Sequence, residues 1–151
     1  MPLPDILPAR RADLGPLARL SRRLVEAGLA PAWTEERLER VLRSEEGQVL
    51  SLRRGHGVVG GAVLELEGST AHLSLLVVDP QVQRQGLGRA LLECCEQRAR
   101  EAGCAQLRLE VREGNRQAIA FYRQCGYAQT HERPGYYGAN EHALCFSRAF
   151  P

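Results

Sequence analysis

The segment from Val77 to Leu92 constrains the fold most, because an apolar strand passes there into a helix through a short loop with Gly86 and Gly88. Backbone N–H groups at such a helix N-terminus have no intrahelical acceptors and carry part of the positive helix dipole. Glycines let an anion approach the backbone closely, and Arg84 and Arg89 could add charge-assisted contacts. The junction therefore predicts a binding site for a phosphate-bearing ligand.

Two common nucleotide-binding motifs do not match this loop. The third glycine of the dinucleotide fingerprint G-x-G-x-x-G would fall at position 91, which is Leu91, and no G-K-[ST] follows as in a P-loop. The two glycines by themselves are also typical of a structural turn. The pattern therefore disfavours a nucleotide-binding module, and it leaves a turn and another phosphate-bearing ligand as alternatives.

Hydrophobic periodicity predicts the other elements. Turn signals around Gly55 and Gly68 divide residues 49–78 into three antiparallel strands of a meander. Trp33 precedes Thr34, the expected N-cap of the second helix, and we expect it to pack there as a hydrophobic staple. Further strands are predicted at 6–7, 106–112, 127–130 and 143–146, and further helices at 14–28, 86–102 and 115–125. The chain is thus predicted to be one domain over residues 1–151.

Composition excludes several classes of function. The 151 residues carry a formal net charge of +2, and Arg and Glu alternate along the chain, so we expect no direct nucleic-acid binding. The chain opens without a basic segment followed by an apolar run, and nowhere do ~18 apolar residues run together. We therefore expect neither export nor membrane insertion.

The cysteines and histidines do not predict a metal site. Five cysteines are an odd number and contain no C-x-x-C pair, which argues against a disulfide framework and against zinc, and favours a reducing cytoplasm. Cys94 and Cys125 are expected to be small core residues. The helix at 86–102 is expected to bury Leu87, Ala90, Leu91, Cys94 and Ala102 on one side. The histidines, His56, His72, His131 and His142, have no metal-like spacing and are interpreted as loop or surface residues.

Two sequence blocks resemble those of a known superfamily. Gln83-x-x-Gly86-x-Gly88, between a strand and a helix, resembles the pyrophosphate-binding signature of the GNAT acetyltransferases. Residues 115–127, NRQAIAFYRQCGY, are similar to the second GNAT block, N-x-x-A-x-x-x-Y-x-x-x-G-[FY]. The resemblance implies an α/β (α+β) fold, with a mixed, mostly antiparallel sheet of about six to seven strands and about four helices. It also implies acetyl-CoA as the acetyl donor and no metal.

A closer similarity is to the bacterial ribosomal-protein alanine Nα-acetyltransferases. It is carried by VDPQVQRQGLGRALLE, by LEVREGNRQAIAFYRQCGY, and by residues 133–137 with Glu141. The similarity spans the last half of the chain, whereas the first half agrees only in the order of elements and in Trp33-Thr34. It implies an acceptor that is a primary amine, foremost a protein N-terminus, in a monomer or homodimer. A small-molecule amine or a lysine side chain is the alternative acceptor, and a non-catalytic acyl-CoA-binding regulator is the alternative class.

The resemblance also implies roles for individual residues. Tyr136 and Tyr137, on a late loop, would flank a peptide substrate. Asn115 would contact the cofactor, together with residues of two segments, 76–78 and 84–89. Leu76, Val77 and Val78 would offer main-chain hydrogen bonds to the pantetheine arm, and Arg84, Gln85, Gly86, Leu87, Gly88 and Arg89 would hold the pyrophosphate.

Acetyl transfer to an amine needs a base for the amine proton and an acid for the departing thiolate. The resemblance assigns these roles to Glu110, in L-E-V-R, and to Tyr122, in the second block. A phenol suits the acid role, because its reference pKa near ~10 leaves it protonated. By periodicity alone, Glu110 is instead a charge on a solvated strand face and Tyr122 a core aromatic. Retention of both residues disfavours a regulator without turnover.

Overall fold

Seven strands and four helices make up the described part of the computed structural model, which covers residues 4–82 and 86–151. The strands are β1 (Asp5–Pro8), β2 (Gly47–Arg54), β3 (Gly57–Glu67), β4 (Thr70–Val78), β5 (Gln106–Arg112), β6 (Ala128–Gly138) and β7 (Glu141–Ala149). The helices are α1 (Arg11–Leu24), α2 (Glu35–Arg43), α3 (Leu87–Glu101) and α4 (Arg116–Gln124), and a 3-10 turn covers Pro80–Val82.

The strands form one sheet in the order β1-β2-β3-β4-β5-β7-β6. Neighbouring strands are antiparallel except β4 and β5, which are parallel. Strands β2, β3 and β4 form the predicted meander. The mixed, mostly antiparallel sheet of the described chain, together with its helices, confirms the predicted α/β (α+β) class.

The parallel pair β4–β5 is hydrogen bonded over only a short distance. On its other side, β4 stays paired with β3 as far as Gly60↔Val78. β5 likewise stays paired with β7 as far as Arg112↔Ala143. Each strand therefore remains in the sheet through its other neighbour, and a gap opens between the C-terminal halves of β4 and β5. The positions where β4 and β5 do pair are Thr70↔Gln106, Ala71↔Leu107 and His72↔Arg108.

A β-bulge in β4 lies at the start of this gap. Leu73 and Leu75 pair with successive residues of β3, so Ser74 is an extra residue on β4. Strict alternation would place Ala71, Leu73, Leu75 and Val77 on one face of the sheet. Instead, Ala71 and Leu73 pack in one core cluster, and Leu75 and Val77 pack in the other. The bulge thus lets β4 contribute to the core on both faces.

These two clusters, the larger of the three in the described chain, lie on opposite faces of the sheet. Helices α3 and α4 cover one face, where Leu91, Leu107 and Phe146 are fully buried. Helices α1 and α2 cover the other face, where Leu17 and Leu38 are fully buried. Burial of side chains of this size stabilises the fold by roughly 1.5–3 kcal/mol each.

Helix α2 begins as predicted. The Thr34 hydroxyl oxygen accepts a hydrogen bond from the backbone N–H of Arg37 at 3.2 Å. Trp33 packs in the same cluster as Leu38, which confirms the expected hydrophobic staple. Helix α1, in contrast, ends at Leu24, earlier than predicted. Residues 25–33 therefore form a connecting segment, called here the α1–α2 loop.

The predicted buried side of α3 is partly wrong. Cys95, not Cys94, is fully buried, while Cys94 is half-buried against the same cluster. Ala90 and Ala102, expected inside, are exposed. The helix instead faces the sheet along an i, i+4 series, Leu87, Leu91, Cys95 and Ala99. Cys125 is buried, as expected, and all five cysteines are free thiols.

Strands β6 and β7 extend further than predicted. β6 is an edge strand and is exposed along nearly its whole length, so its sequence lacks the alternation that predicts a strand. The expectation of a loop at Tyr136 and Tyr137 is therefore wrong, since both lie on β6. They fall between Arg133 and Gly138, where the register with β7 shifts.

Candidate active site

A cleft of about 430 Å³ opens where β4 and β5 separate. The α1–α2 loop, α4 and β6 complete its walls. Because β4 and β5 run in the same direction, α3 and α4 both begin beyond the ends of the strands where the gap opens. Ligands of α/β proteins commonly bind at such strand ends. The predicted site residues that line the cleft are Leu76, Glu110, Asn115, Tyr122, Tyr136 and Tyr137.

The carboxylate of Glu110 lies in the wall of this cleft, and its side chain is only 5% exposed. His72 Nε2 lies 2.7 Å from Glu110 Oε1. The Tyr136 hydroxyl donates to the same oxygen at 3.2 Å, and Arg108 Nη1 donates to Oε2 at 3.1 Å. Glu110 is therefore a held, nearly buried carboxylate and does not lie on a solvated strand face.

These contacts determine how Glu110 titrates. Burial by itself would raise the pKa of Glu110, because a carboxylate is poorly solvated inside a protein. The hydrogen bond and charge of His72, followed by the charge of Arg108 and the Tyr136 hydrogen bond, lower it by more. The pKa of Glu110 therefore lies below its ordinary value. Glu110 is ionised throughout the neutral range and can accept a proton.

Tyr122 lies on α4, with a ring that is buried and also lines the cleft. The ring packs edge-to-face on Phe121 and on Tyr127, with centroids 5.1 Å and 5.8 Å away. Burial raises the pKa of Tyr122 well above its ordinary value. The phenol stays protonated over the whole working range, as a proton donor must.

The two tyrosines of β6 line the same cleft as the α1–α2 loop. Tyr136 is 43% exposed and Tyr137 packs edge-to-face against it, with centroids 4.9 Å apart. Burial raises the pKa of both phenols. They form a neutral aromatic surface beside Glu110.

The three residues expected to contact the pantetheine arm, Leu76, Val77 and Val78, differ in where their side chains lie. Leu76 lines the cleft. The Val77 side chain is buried against α1 and α2, and the Val78 side chain packs toward the opposite face. Main-chain groups of these two residues are therefore the groups that could contact a ligand.

The start of α3 contains the described part of the predicted pyrophosphate loop. Gly86 is the N-cap and has a φ of +73°, and a Cβ built there would meet no atom of the described residues within 4 Å. A Cβ on Gly88 would contact the Phe121 ring at 3.5 Å. The Leu87 side chain is buried, and Arg89 is exposed and ion-paired with Glu93. Arg84 and Gln85 lie outside the described residues.

Asn115 begins α4, as predicted. Its side-chain oxygen accepts from the backbone N–H of Ala118 at 3.1 Å. Asn115 also lines the cleft, so the residue that caps the helix lies where the sequence resemblance expects a cofactor contact.

Two residues of the cleft are not evident from the sequence pattern. His72 was expected in a loop or on the surface, but it lies on β4 with its side chain 15% exposed, next to Glu110. Glu26 is buried and accepts hydrogen bonds from Ser21 Oγ and from the backbone N–H groups of Ala32 and Trp33. Glu26 thereby fixes the α1–α2 loop against the cleft.

Other kinds of site are not found in the described chain. Within residues 4–82 and 86–151, no three His, Cys, Asp or Glu side chains are grouped as a metal ion requires. Over the same residues, no helix has the length and apolar character needed to cross a membrane.

The chain matches the family model described as the acetyltransferase (GNAT) family over residues 17–127. It is 43% identical, over 76 residues, to the ribosomal protein bS18-alanine N-acetyltransferase of Escherichia coli K12, covering 50% of this chain and 51% of that protein. An aminoglycoside N(6')-acetyltransferase type 1 of Stenotrophomonas maltophilia is 43% identical over 60 residues, covering 40% of this chain and 39% of that protein. The chain thus spans about half the length of the curated relatives it matches.

A solved structure extends the similarity over the whole chain. The crystal structure of the ribosomal-protein-S18-alanine N-acetyltransferase from Escherichia coli superposes with a TM-score of 0.82. It covers 97% of this chain and 94% of that chain, at 30% sequence identity. The sequence blocks, the family model and the superposed fold agree, and the chain belongs to the acetyltransferase (GNAT) family.

Proposed function

We propose that the protein transfers the acetyl group of acetyl-CoA to a primary amine, foremost the N-terminal α-amine of a protein. The observation that carries the proposal is the ionised, nearly buried Glu110 carboxylate in the gap between β4 and β5. Tyr122, a phenol kept protonated by burial, lines the same cleft. Glu110, the proposed base, and Tyr122, the proposed acid, thus line one cavity of a chain that belongs to an acetyltransferase family.

The residues present fit acetyl-CoA. Over Leu73 to Val77, the main chain of β4 is not paired with β5, and an extended pantetheine arm carries amide groups that can hydrogen bond to such an edge. At the end of the arm, the N-terminus of α3 offers backbone N–H groups to the pyrophosphate. The open space at Gly86 allows close approach of a phosphate.

The chemistry of this chain's residues follows from their protonation. When bound, acetyl-CoA supplies an activated thioester. Glu110 removes a proton from the attacking amine as the C–N bond forms, and Tyr122 donates a proton to the sulfur as the C–S bond breaks. The products are an amide and the free thiol, and solvent exchange restores both residues. Each proton transfer of this kind contributes about 10²–10⁴-fold to the rate.

Charge around the cleft favours a peptide over an aminoglycoside as acceptor. An aminoglycoside carries several ammonium groups and needs carboxylates that are available to pair with them. Among the described residues lining the cleft, both carboxylates already accept hydrogen bonds, Glu26 from the α1–α2 loop and Glu110 from its neighbours. Arg37 and Arg112 also line the cleft. The neutral aromatic surface of Tyr136 and Tyr137 suits a peptide instead.

A panel of acceptors tests this proposal. We expect release of free thiol from acetyl-CoA with peptides that have a free N-terminus, and no release when that N-terminus is blocked. The panel includes an N-blocked peptide with a lysine, a small primary amine and an aminoglycoside. If one of these acceptors reacted faster than the peptides with a free N-terminus, the proposed N-terminal acceptor would be wrong. The small-amine or lysine alternative would then be favoured. Binding of acetyl-CoA without thiol release for any acceptor would support a regulator without turnover.

The pyrophosphate site has a matched pair of glycines for its test. Gly86 and Gly68 have φ values of +73° and +63°, and in the part of the chain that the structure describes, no atom lies within 4 Å of a Cβ built on either. Alanine at each position therefore causes similar backbone strain, about 1–2 kcal/mol. Only at Gly86 would the methyl group occupy the proposed phosphate position.

We expect Gly86→Ala to weaken coenzyme A binding roughly 10- to 100-fold by calorimetry, the effect of losing a charge-assisted hydrogen bond of ~1.5–3 kcal/mol. Gly68→Ala should lower thermal stability by a similar amount and leave coenzyme A affinity unchanged. If the two variants bound coenzyme A with equal affinity, the proposal that the pyrophosphate binds at the N-terminus of α3 would be wrong.

Three further properties stay proposals. The five free thiols fit the reducing cytoplasm that we propose as the compartment. We propose that residues 1–151 act as one domain, since every strand of the described chain belongs to the same sheet. A monomer or a homodimer, with no direct contact to nucleic acid, is the expected assembly.

A further inference from the structure

A chain of hydrogen bonds leads from Glu110 along the wall of the cleft and across three strands. His72 Nε2, on β4, lies 2.7 Å from Glu110 Oε1, on β5. His72 Nδ1 lies 3.1 Å from Ser74 Oγ, and Ser74 Oγ donates to Glu65 Oε1, on β3, at 2.5 Å. The β-bulge makes Ser74 an extra residue between Leu73 and Leu75. Glu110, His72, Ser74 and Glu65 are called here the relay chain.

The number of protons in the relay chain follows from its geometry. A serine hydroxyl has one proton to donate, and Ser74 donates it to Glu65. The contact between Ser74 and His72 then requires a proton on Nδ1. An ionised carboxylate only accepts, so the contact with Glu110 requires a proton on Nε2. With both carboxylates ionised, all contacts are satisfied only when His72 is a doubly protonated imidazolium.

We propose that His72, oriented by Ser74 and Glu65, is a positioning residue that holds the Glu110 carboxylate in the cleft wall. The proposal rests on the proposed role of Glu110 as the base. His72 does not touch the reacting atoms. It acts through Glu110, and Glu65 acts in turn through His72.

Other groups around Glu110 cannot replace His72. Arg108 is shared, because its Nη2 donates to Glu67 at 2.8 Å while Nη1 donates to Glu110. From β6 and β7, Tyr136, Tyr137 and Cys145 face Glu110, and all three are neutral at working pH because burial raises their pKa values. Loss of the His72 side chain therefore leaves a buried carboxylate with part of one guanidinium and the Tyr136 hydroxyl. The pKa of Glu110 then rises.

The test is the ratio of variant to wild-type kcat across pH, with acetyl-CoA and a reactive acceptor. His72→Leu removes both hydrogen bond and charge. Its ratio should fall roughly tenfold or more toward acidic pH, because Glu110 is protonated there, and should approach one at alkaline pH. His72→Gln keeps a neutral donor and should show a smaller fall. Glu65→Gln, three hydrogen bonds from Glu110, should cause a fall in the same direction.

His56→Gln is the control, since His56 is exposed in the β2–β3 turn, and its ratio should stay near one at every pH. A loss for His72→Leu that is equal at all pH values would show a merely structural role and overturn the proposal. An unchanged profile would overturn it too. Melting curves of each variant identify a folding defect.

Titration of the Glu110 side-chain carbon by NMR separates this proposal from the proposed function, because it needs no turnover. The Glu110 midpoint should lie at higher pH in His72→Leu than in the wild type, and an equal midpoint overturns the role of His72. Should the midpoint move while Glu110→Gln retains full activity, the pairing is established and the base role of Glu110 is wrong.

Discussion

Replacing Glu110 by Gln is expected to lower turnover about 10²–10⁴-fold, the usual contribution of a general base. The amide is nearly isosteric with the carboxylate, so it should preserve packing while losing the ability to take a proton from the amine. The amide oxygen can still accept a hydrogen bond from Arg108 Nη1, which in the wild type donates to Glu110 Oε2 at 3.1 Å. Coenzyme A affinity should change little, because the pyrophosphate is proposed to bind at the start of α3.

The deficit of Glu110→Gln should shrink as pH rises, because more of the amine is then neutral without help. In the wild type, Glu110 has a lowered pKa, so the base is already ionised in the neutral range. The measurement is thiol release against pH for the variant and for Glu113→Gln, which removes the same charge from an exposed carboxylate at the end of β5. Wild-type rates for Glu110→Gln across the range would leave Glu110 with an ion-pairing role alone.

Replacing Tyr122 by Phe should slow thiolate departure by about 10²–10⁴-fold, since the variant lacks only the hydroxyl that donates the proton. The ring should still pack edge-to-face on Phe121 and Tyr127, so the helix and coenzyme A binding should be retained. Raising pH should not rescue the variant, because a more neutral amine does not assist the leaving group. Single-turnover thiol release across pH measures this.

Tyr127→Phe is the matched control for that experiment. Tyr127 is also a buried phenol, but its hydroxyl donates to Glu96 at 2.7 Å, away from the cleft. Its loss should cost about 1–3 kcal/mol of stability, because Glu96 loses a buried partner, and should leave turnover at the wild-type level. If Tyr122→Phe also turned over at that level, Tyr122 would be a core aromatic and solvent would supply the proton.

Local patterns were sufficient for most of the fold. The alternation of residues 106–112 and the N-cap Asn115 predict β5 and α4, and the structure has both. The resemblance of the sequence blocks pairs Glu110 with Tyr122, and the two residues line one cleft. Each of these features depends on neighbours within about a dozen positions.

The features that were missed depend on register between distant segments. His72 meets Glu110 because β4 and β5 pair in one particular alignment, and the separation of 38 positions leaves no periodic signal. The bulge at Ser74 arises from pairing with β3, and Glu26 contacts a loop that folds back over it. Tyr136 lies on an exposed edge strand, where no hydrophobic alternation marks a strand.

The early separation of β4 from β5 has a consequence for association between molecules. An unpaired strand edge usually invites another protein's strand and so promotes aggregation. Here the edge of β4 lies inside the sheet, where β5 on the other side of the gap excludes a second protein but not a slender extended ligand. The outer edges are poor templates, since β1 has four residues and β6 contains Pro134 among charged neighbours. In the proposed function, strand-like pairing with the ligand would thus use an inner edge, which is not a surface on which copies of the molecule could polymerise.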